Sequence, residues 1–290
     1  MMINIIDTFK DYKGFMEENL NKEPKEKMEL WEKFYNSNFP EMGRKCKEDY
    51  ESEGYNWKEI GLTMVFNRSE EDFPNMIEGY KNLLKTFNGI EEKVKAIFHI
   101  EMDINIVLYR GLLNSAGWVD EYEGKRAMLF GVDKIAKLGW QQKEKIDALV
   151  CHELCHVVHF QIRGESKLPK QVDNNKYNEG ILNIYEEGFA QYFQQVLGEG
   201  IVDSRGEQWS IDCEKLEKEL KLKYVEALKD KEKGTRDFYG DWFKVLGISD
   251  VGYFLGAKLI GELSKRYVIE DIAAMDFVNI EKEVLRFLEA

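Results

Sequence analysis

The sequence predicts an α+β protein that is mostly helical and contains a small, antiparallel β-sheet. Three observations lead to this fold class. Charged and apolar residues recur at helical spacing over most of the 290 positions, and the chain has only four prolines. Residues 97–108 partly alternate with the period of two that is typical of strands. Residues 143–163 form a long apolar segment with the period of a helix.

The first part of the chain predicts a helical region with few groups that stand out chemically. Helices are expected over residues 25–35 and 74–87, and Pro74 opens the second of them in its first turn. We therefore divide the chain near residue 92 into a helical N-terminal region, 1–92, and a second domain, 93–290. The N-terminal region is interpreted as a scaffold or as a lobe beside an active site.

The middle of the chain predicts the sheet. Apolar residues from Ile97 to Leu108 partly alternate with polar ones. A turn is expected at Glu123-Gly124-Lys125, and it leads into a second strand candidate, Arg126–Gly131. We expect a small antiparallel sheet in this region.

The rest of the chain predicts helices and one polar loop. Residues 164–178 contain Gly164, Pro169 and an Asp-Asn-Asn run, which predict the loop. The expected helices cover residues 143–163, 181–197, 215–233, 252–267 and 277–288.

The composition argues against several classes of protein. Apolar residues make up 43% of the chain and aromatic residues 13%, which supports a packed core rather than a disordered chain. The formal net charge of −13 repels phosphate backbones and anionic lipid, so neither a nucleic-acid nor a membrane partner is expected. No apolar run approaches the roughly 20 residues of a membrane span. The first twenty residues also lack the pattern of a secretory signal, so a cytoplasmic protein is expected.

The four cysteines are expected to be free thiols. Cys151 and Cys155 lie four residues apart on a predicted helix, which is poor geometry for a mutual disulfide. A chain of this length does not need disulfides to fold. We interpret both cysteines as small buried hydrophobic residues.

The most informative segment is His152-Glu-Leu-Cys-His156, an HExxH motif inside the long apolar helix. Residues four apart lie one turn apart on nearly the same helical face, so the two imidazoles can converge on one zinc ion. Glu153 lies at the flank of that face, where it can act as general base toward a zinc-activated water. The alternative is two hydrogen-bonded core histidines beside a solvated glutamate. Burying the three polar groups without a purpose would be costly, which favours the metal site.

A catalytic zinc ion needs three protein ligands and a water molecule. The chain has only four histidines, and His99 lies far upstream in the strand region. His159 shares the helical face of His152 and His156, but it lies roughly 10 Å along the axis from His152. One straight helix could hardly supply all three ligands, so we interpret His159 as a core residue or a wall of the site.

Better candidates are two adjacent glutamates on the next predicted helix, Glu186 and Glu187. Adjacent residues lie 100° apart around a helix, so only one of the two can point at the metal. The small residues Gly188 and Ala190 would let this helix approach the HExxH helix closely. Periodicity alone leaves the choice between the two glutamates open.

The segments His152–His156 and Glu187–Tyr192 together resemble the gluzincin metallopeptidases, in which a downstream Glu-Gly-x-Ala segment carries the third zinc ligand. The resemblance implies that Glu187 is that ligand and that residues 93–290 have a zincin-like fold. The wider likeness is to a family of bacterial predicted zinc-dependent proteases with no assigned substrate, over about residues 95–270. The supporting stretches are Asn105–Tyr109, Ala127–Gly131 and Gly252–Gly256.

Two features depart from the thermolysin-like pattern. Those enzymes carry an aspartate four residues after the ligand glutamate, as a partner of a zinc histidine. This chain has Gln191 at that position, whose side-chain carbonyl could still accept a hydrogen bond from an imidazole N–H. The connection between the two motifs is also long, and the predicted loop at 164–178 accounts for much of it.

The expected activity is hydrolysis of a peptide or protein substrate with one zinc ion, through a metal-activated water and Glu153 as general base. In gluzincins a tyrosine or histidine from a later helix often stabilises the oxyanion. Tyr253 is the first candidate for that role, with Tyr239 and Tyr192 as alternatives; any of them could instead be an aromatic residue packed between helices. The strand at 126–131 is expected to be either an edge strand that pairs with substrate or a plain core strand.

Two other functions stay open at this point. The chain could be a metal-binding or regulatory protein without turnover, or a metal-dependent hydrolase of a non-peptide amide. Every expected catalytic group is present, including Glu153, so nothing in the sequence favours an inactive protein.

Overall fold

A computed structural model describes residues 3–164 and 175–290 of the chain, and most of these residues are helical. The strands are β1 (Asn4–Asp7), β2 (Asn105–Tyr109), β3 (Gly117–Tyr122) and β4 (Lys125–Gly131). The helices are α1 (Thr8–Glu17), α2 (Pro24–Asn38), α3 (Pro40–Ser52), α4 (Trp57–Ile60), α5 (Ser69–Thr86), α6 (Ile90–Phe98), α7 (Val132–Lys137), α8 (Lys143–Arg163), α9 (Lys176–Leu197), α10 (Glu207–Lys215), α11 (Glu217–Leu228), α12 (Val251–Leu263), α13 (Ile269–Ala273) and α14 (Phe277–Glu289). The α+β fold class is therefore confirmed.

The chain forms two compact units, residues 1–150 and residues 151–290. The division between them falls within α8, and the residues on both sides of position 92 belong to the first unit. The sheet lies in the first unit, and the HExxH motif and everything that follows it lie in the second.

The sheet is mixed, so the expectation of an antiparallel sheet is wrong. Its strand order is β1-β2-β4-β3; β1 and β4 each run parallel to β2, and only β3 and β4 are antiparallel. A parallel pair needs a long crossover connection, and five helices, α2 to α6, lie in the chain between α1 and β2. The strand β1 has four residues, too few for a period of two to stand out beside the helix that follows it.

The strand β4 lies between β2 and β3 and pairs with both. It is therefore an inner strand, so of the two alternatives for residues 126–131 the core strand is confirmed and the substrate-pairing edge strand is wrong. The predicted turn before it is confirmed. Glu123 and Gly124 have φ values of 53° and 70°, and positive φ at both central residues is the requirement of a two-residue type I′ hairpin.

The strand predicted at 97–108 is shorter than expected. Residues up to Phe98 belong to α6, His99 ends that helix with a left-handed φ of 57°, and the strand begins only at Asn105. All five residues of β2 are buried, because neighbouring strands and helices cover both faces of the sheet. The alternation of apolar and polar residues before Asn105 therefore belongs to the end of α6 and the segment after it, not to a half-buried strand.

The helix predicted over 143–163 is confirmed at both ends. The helix predicted from Pro74 begins earlier, at Ser69, so Pro74 lies inside it. The predicted loop at 164–178 falls mostly on residues 165–174, which lie outside the described residues, and α9 begins at Lys176. The helix predicted over 215–233 is shorter and ends at Leu228.

The second unit is organised around α9, against which α11, α12 and α14 pack. Ile181, Ile184, Tyr185 and Phe189 of α9 are fully buried. All four cysteines of the chain are buried free thiols, as predicted. Among the described residues, no helix combines the length and the apolar character that crossing a membrane requires.

Candidate metal centre

The two histidines of the HExxH motif lie one turn apart on α8 with their rings turned toward each other. Their Nε2 atoms are 3.2 Å apart, and the ring centroids are 4.8 Å apart. Both side chains are mostly buried, because the surrounding residues of α8, such as Leu154 and Val158, form part of the core. The helix thus holds two imidazole nitrogens close to one point, as the spacing predicts.

Glu187 reaches the same point from α9. Its Oε2 atom lies 3.3 Å from Nε2 of His152 and 3.3 Å from Nε2 of His156. Three donor atoms therefore form a nearly equilateral triangle. Within the described parts of the chain, this is the one cluster of three histidine, cysteine or acidic side chains close enough to hold a metal ion.

The triangle has the dimensions of a zinc site. Zinc binds nitrogen and carboxylate oxygen at about 2.0–2.1 Å in a tetrahedron, which places neighbouring donor atoms about 3.3–3.4 Å apart. The observed separations of 3.2, 3.3 and 3.3 Å agree with that spacing. Two imidazoles and one carboxylate are also a ligand set that leaves a fourth position open. The three residues could therefore hold a metal ion, and their spacing suits zinc.

The electrostatics of the cluster show what holds it together without a cation. Burial raises the pKa of Glu187, but the two imidazoles outweigh burial and hold it well below its usual range. Burial lowers the pKa of His156, yet Glu187 outweighs burial and raises it to about 9. Burial lowers the pKa of His152. A protonated His156 thus pairs with an ionised Glu187, and a metal ion would take the place of that proton.

Glu153 lies next to the cluster but is not part of it. Glu153 is 5% exposed, and burial raises the pKa of its carboxyl group to about 7. The charges of His156, Glu187 and Arg205 act on it as well, with His156 and Arg205 favouring the ionised form. A carboxyl group with a pKa near 7 can both accept and release a proton at neutral pH.

The structure distinguishes between Glu186 and Glu187, a choice that periodicity left open. Glu187 reaches the histidines, and Glu186 stays outside the cluster. Burial raises the pKa of Glu186, so it lies in partly apolar surroundings.

His159 also stays outside the cluster and packs as a core residue. Its ring stacks on Phe189 with centroids 4.2 Å apart and meets Tyr185 edge to face. Burial lowers the pKa of His159 to about 3, so the ring is neutral. Among the described residues, its Nε2 atom has no hydrogen-bond partner.

Gly188 brings α9 close to α12, whereas we expected it to bring α9 close to the HExxH helix. A Cβ atom on Gly188 would collide with the backbone of Gly256, and a Cβ atom on Gly256 would lie 2.6 Å from Cα of Gly188. The two helix backbones therefore touch at this pair of glycines. This contact fixes Glu187, which precedes Gly188, relative to the first turn of α12.

Tyr253 lies in that first turn, with its ring 5.6 Å from the ring of His152. It is half-buried, and no hydrogen bond to its hydroxyl is present among the described residues. Burial and the charge of Glu187 raise the pKa of Tyr253 well above its usual value, so the hydroxyl keeps its proton. Tyr253 therefore has a proton available to donate beside the cluster.

The two alternative tyrosines differ from Tyr253. The Tyr224 hydroxyl donates to the carbonyl of Gly180 at 2.8 Å, so it must accept from the Tyr239 hydroxyl, 2.9 Å away. A hydroxyl has one proton, and that of Tyr239 is committed to Tyr224. Tyr192 lies about 140° around α9 from Glu187 and packs near Gly261. The structure thus places Tyr253, rather than the other two, as a donor beside the histidines.

A mostly buried arginine, Arg205, supports Tyr253, and no sequence pattern pointed to it. The guanidinium carbon of Arg205 lies 4.0 Å from the ring centre of Tyr253 and 5.0 Å from that of Trp209. Asp203 and Asp250 pair with the same guanidinium at 3.1 and 3.3 Å. Asp250 immediately precedes α12, with a left-handed φ of 60°. These residues are distant in sequence or lie in irregular segments, so no spacing pattern links them to the motif.

Gln191 does not take the role expected for it. Its side-chain nitrogen donates to Asp203 at 2.6 Å, and Gln194 donates to the same carboxylate oxygen at 3.1 Å. Within the described chain its side-chain carbonyl has no hydrogen-bond partner, so it does not accept from an imidazole. Gln191 instead fixes Asp203, and through Asp203 the arginine, to the helix that carries Glu187.

Comparison of the chain with protein-family models, with curated proteins and with solved structures gives no match. The geometry of the residues therefore carries the functional argument.

Proposed function

We propose that this protein is a zinc-dependent peptidase of the gluzincin type, with a zincin-like second domain. The observation that carries the proposal is the convergence of His152, His156 and Glu187 at the donor spacing of zinc. A buried carboxyl group with a pKa of about 7, that of Glu153, lies beside them. Three protein ligands leave a fourth position open for water, and a neighbouring carboxylate can then accept the proton of that water.

The division of labour among the side chains follows from their positions. His152, His156 and Glu187 would hold the ion, which when bound polarises a carbonyl and acidifies water. Glu153 accepts a proton from the attacking water and passes it to the leaving amine. Its raised pKa suits both steps, because a carboxylate of lower pKa would be a weaker base toward water, whereas a group with a pKa near 7 can also release the proton again.

Tyr253 supplies the remaining group in this proposal. Negative charge develops on the carbonyl oxygen of the substrate, and a fixed donor stabilises it more than water does. The uncommitted hydroxyl of Tyr253, held by Arg205 and packed against His152, is such a donor. We place the activity in the cytoplasm, because a reducing compartment keeps the four thiols of this chain reduced.

Metal analysis of the full chain tests the ligand set. The parent is expected to hold one zinc ion per chain, and His152→Ala and Glu187→Ala are expected to lose it. Glu186→Ala is the matched control, since it removes the adjacent carboxylate that stays outside the cluster. Full zinc content in Glu187→Ala, or equal loss in Glu186→Ala, would show that the assigned third ligand is wrong.

Hydrolysis of labelled casein, with and without a chelator, tests the chemistry. Glu153→Gln is expected to keep zinc and to lose about 10²- to 10⁴-fold in rate, because it removes the general base. The control is Glu144→Gln, the same change at an exposed position of the same helix. A Glu153→Gln variant that cleaves as fast as the parent would contradict the proposed mechanism.

A further inference from the structure

The second unit contains an open groove that the metal centre does not use. Its volume is about 780 Å³, within the range of sites that bind ligands. It lies among α9, α10, α12 and the segment that joins α9 to α10. Three aromatic residues, Tyr192, Trp209 and Phe254, contribute to its lining.

The groove lies near the metal centre, although none of the three clustered residues lines it. Gln191 lines it and lies four residues after Glu187 on α9, which is about 6 Å along the helix axis. Phe254 lines it and directly follows Tyr253. Asp203, which pairs with the arginine that holds Tyr253, lines it as well. A molecule in the groove would therefore lie close to the proposed reaction site.

One wall of the groove is formed by a segment outside regular secondary structure. Ile201 and Val202 belong to no helix or strand, and Val202 is 57% exposed. Among the described residues, their main-chain N–H and C=O groups make no hydrogen bond. Unpaired main-chain groups on the wall of a groove are the partners that an extended polypeptide uses. This wall favours a peptide over a compact small molecule.

The charges of the lining favour a basic occupant. Four carboxylates and two lysines line the groove. Asp203 is engaged by Arg205, and Glu217 and Lys258 belong to a cluster with Lys221 and Glu214. Within the described chain, Glu207, Glu262 and Lys265 make no ion pair, which leaves two negative charges against one positive charge. An ammonium or guanidinium group is also attracted to aromatic faces such as those of Tyr192 and Trp209.

We propose that this groove binds an extended segment of the polypeptide substrate that carries a basic side chain next to an apolar one. The inference rests on the proposed peptidase, because it makes the groove the part of the substrate site that selects the sequence flanking the cleaved bond. The main chain of the segment pairs with Ile201 and Val202, its apolar side chain packs among the aromatic residues, and its basic side chain faces Glu207 and Glu262.

Binding of peptides to full-length Glu153→Gln tests this without turnover. The probes are a fluorescein-labelled decapeptide of alternating lysine and phenylalanine and a twin in which glutamate replaces each lysine, followed by fluorescence anisotropy. The basic peptide is expected to bind more tightly, with or without a chelator. Glu262→Lys is expected to weaken binding of the basic peptide about fivefold, because it replaces an attraction at an exposed site by a repulsion. Ala257→Trp, which fills the groove, is expected to weaken it at least tenfold.

Glu270→Lys is the matched control, since it makes the same charge change at an exposed residue outside the groove lining. Equal binding of both peptides, or equal binding by Glu262→Lys, Ala257→Trp and the control, would overturn the proposal. The two proposals fail separately. A parent that does not cleave but retains this binding pattern contradicts the peptidase, and a parent that cleaves with the same KM in all variants contradicts the groove.

Discussion

Two neighbouring tyrosines in the second unit differ in what their hydroxyl groups do. The rings of Tyr239 and Tyr253 lie 5.5 Å apart, and both are close to the charge of Glu187. The Tyr239 hydroxyl donates its proton to Tyr224, whereas the Tyr253 hydroxyl makes no hydrogen bond within the described chain. The first hydroxyl therefore contributes to stability, and the second keeps an uncommitted proton.

Removing each hydroxyl in turn should separate these roles. Tyr239→Phe is expected to lower the free energy of unfolding by about 1 kcal/mol, because it breaks a partly buried hydrogen bond. Tyr253→Phe is expected to leave stability nearly unchanged and to lower kcat by about 10²- to 10³-fold, the cost of a lost oxyanion donor. Urea denaturation and casein hydrolysis measure the two effects. If Tyr253→Phe retained full kcat, Tyr253 would be a packing residue only.

At the scale of elements, the contact between α9 and α12 determines where Glu187 and Tyr253 lie. Gly188 and Gly256 allow the two backbones to touch, and Gly252 leaves room for the ring of Tyr239. The sequence showed these glycines in helical segments, but it could not show which helix each one faces. Close packing of helices depends on the tertiary fold, and periodicity reports only which residues share a face.

Replacing Gly256 with alanine should therefore displace α9. Its Cβ atom would lie 2.5 Å from the carbonyl oxygen of Ile184, and a helix backbone cannot yield locally. We expect a loss of about 1–3 kcal/mol in the free energy of unfolding and weaker zinc binding, because Glu187 moves with α9. Gly14→Ala is the control: its Cβ would meet nothing within 4 Å, so it should stabilise α1 by about 0.5–1 kcal/mol. Thermal unfolding should show a loss of stability for Gly256→Ala and a gain for Gly14→Ala, and a zinc-chelator competition should show the weaker zinc binding of Gly256→Ala. Equal effects of the two substitutions would contradict the close packing of α9 and α12.

At the scale of the whole molecule, local patterns were predictable and long-range ones were not. The helix α8 and its two histidines follow from short spacing, and both appear where the sequence places them. The choice of Glu187 needed a family resemblance, because periodicity left Glu186 equally possible. The parallel strand β1 and the role of Arg205 depend on segments brought together from distant parts of the chain. No pattern within one segment records such contacts.

The burial that raises the pKa of Glu153 should destabilise the metal-free fold at neutral pH. The pKa of Glu153 is about 7 in the folded chain, whereas a glutamate in an unfolded chain titrates near 4.3. Below about pH 4 both states hold the proton, and its contribution to stability is intact. As the pH rises to about 7 the unfolded state ionises first, so this contribution is lost, and above pH 7 the loss is constant.

Glu153→Gln should remove that loss, because glutamine is a neutral group of nearly the same shape. With zinc removed by a chelator, we expect the variant to exceed the parent by about 3 kcal/mol in the free energy of unfolding at pH 8. The difference should shrink steadily toward pH 4.5, and urea denaturation across this range measures it. Glu144→Gln, at an exposed position, should show no such trend. Any change in packing that the amide introduces is independent of pH, so a constant difference from pH 4.5 to 8 would mean that Glu153 does not titrate as a buried acid. A gain that grows with pH would show that the fold gives up stability to hold a proton acceptor beside the three ligands.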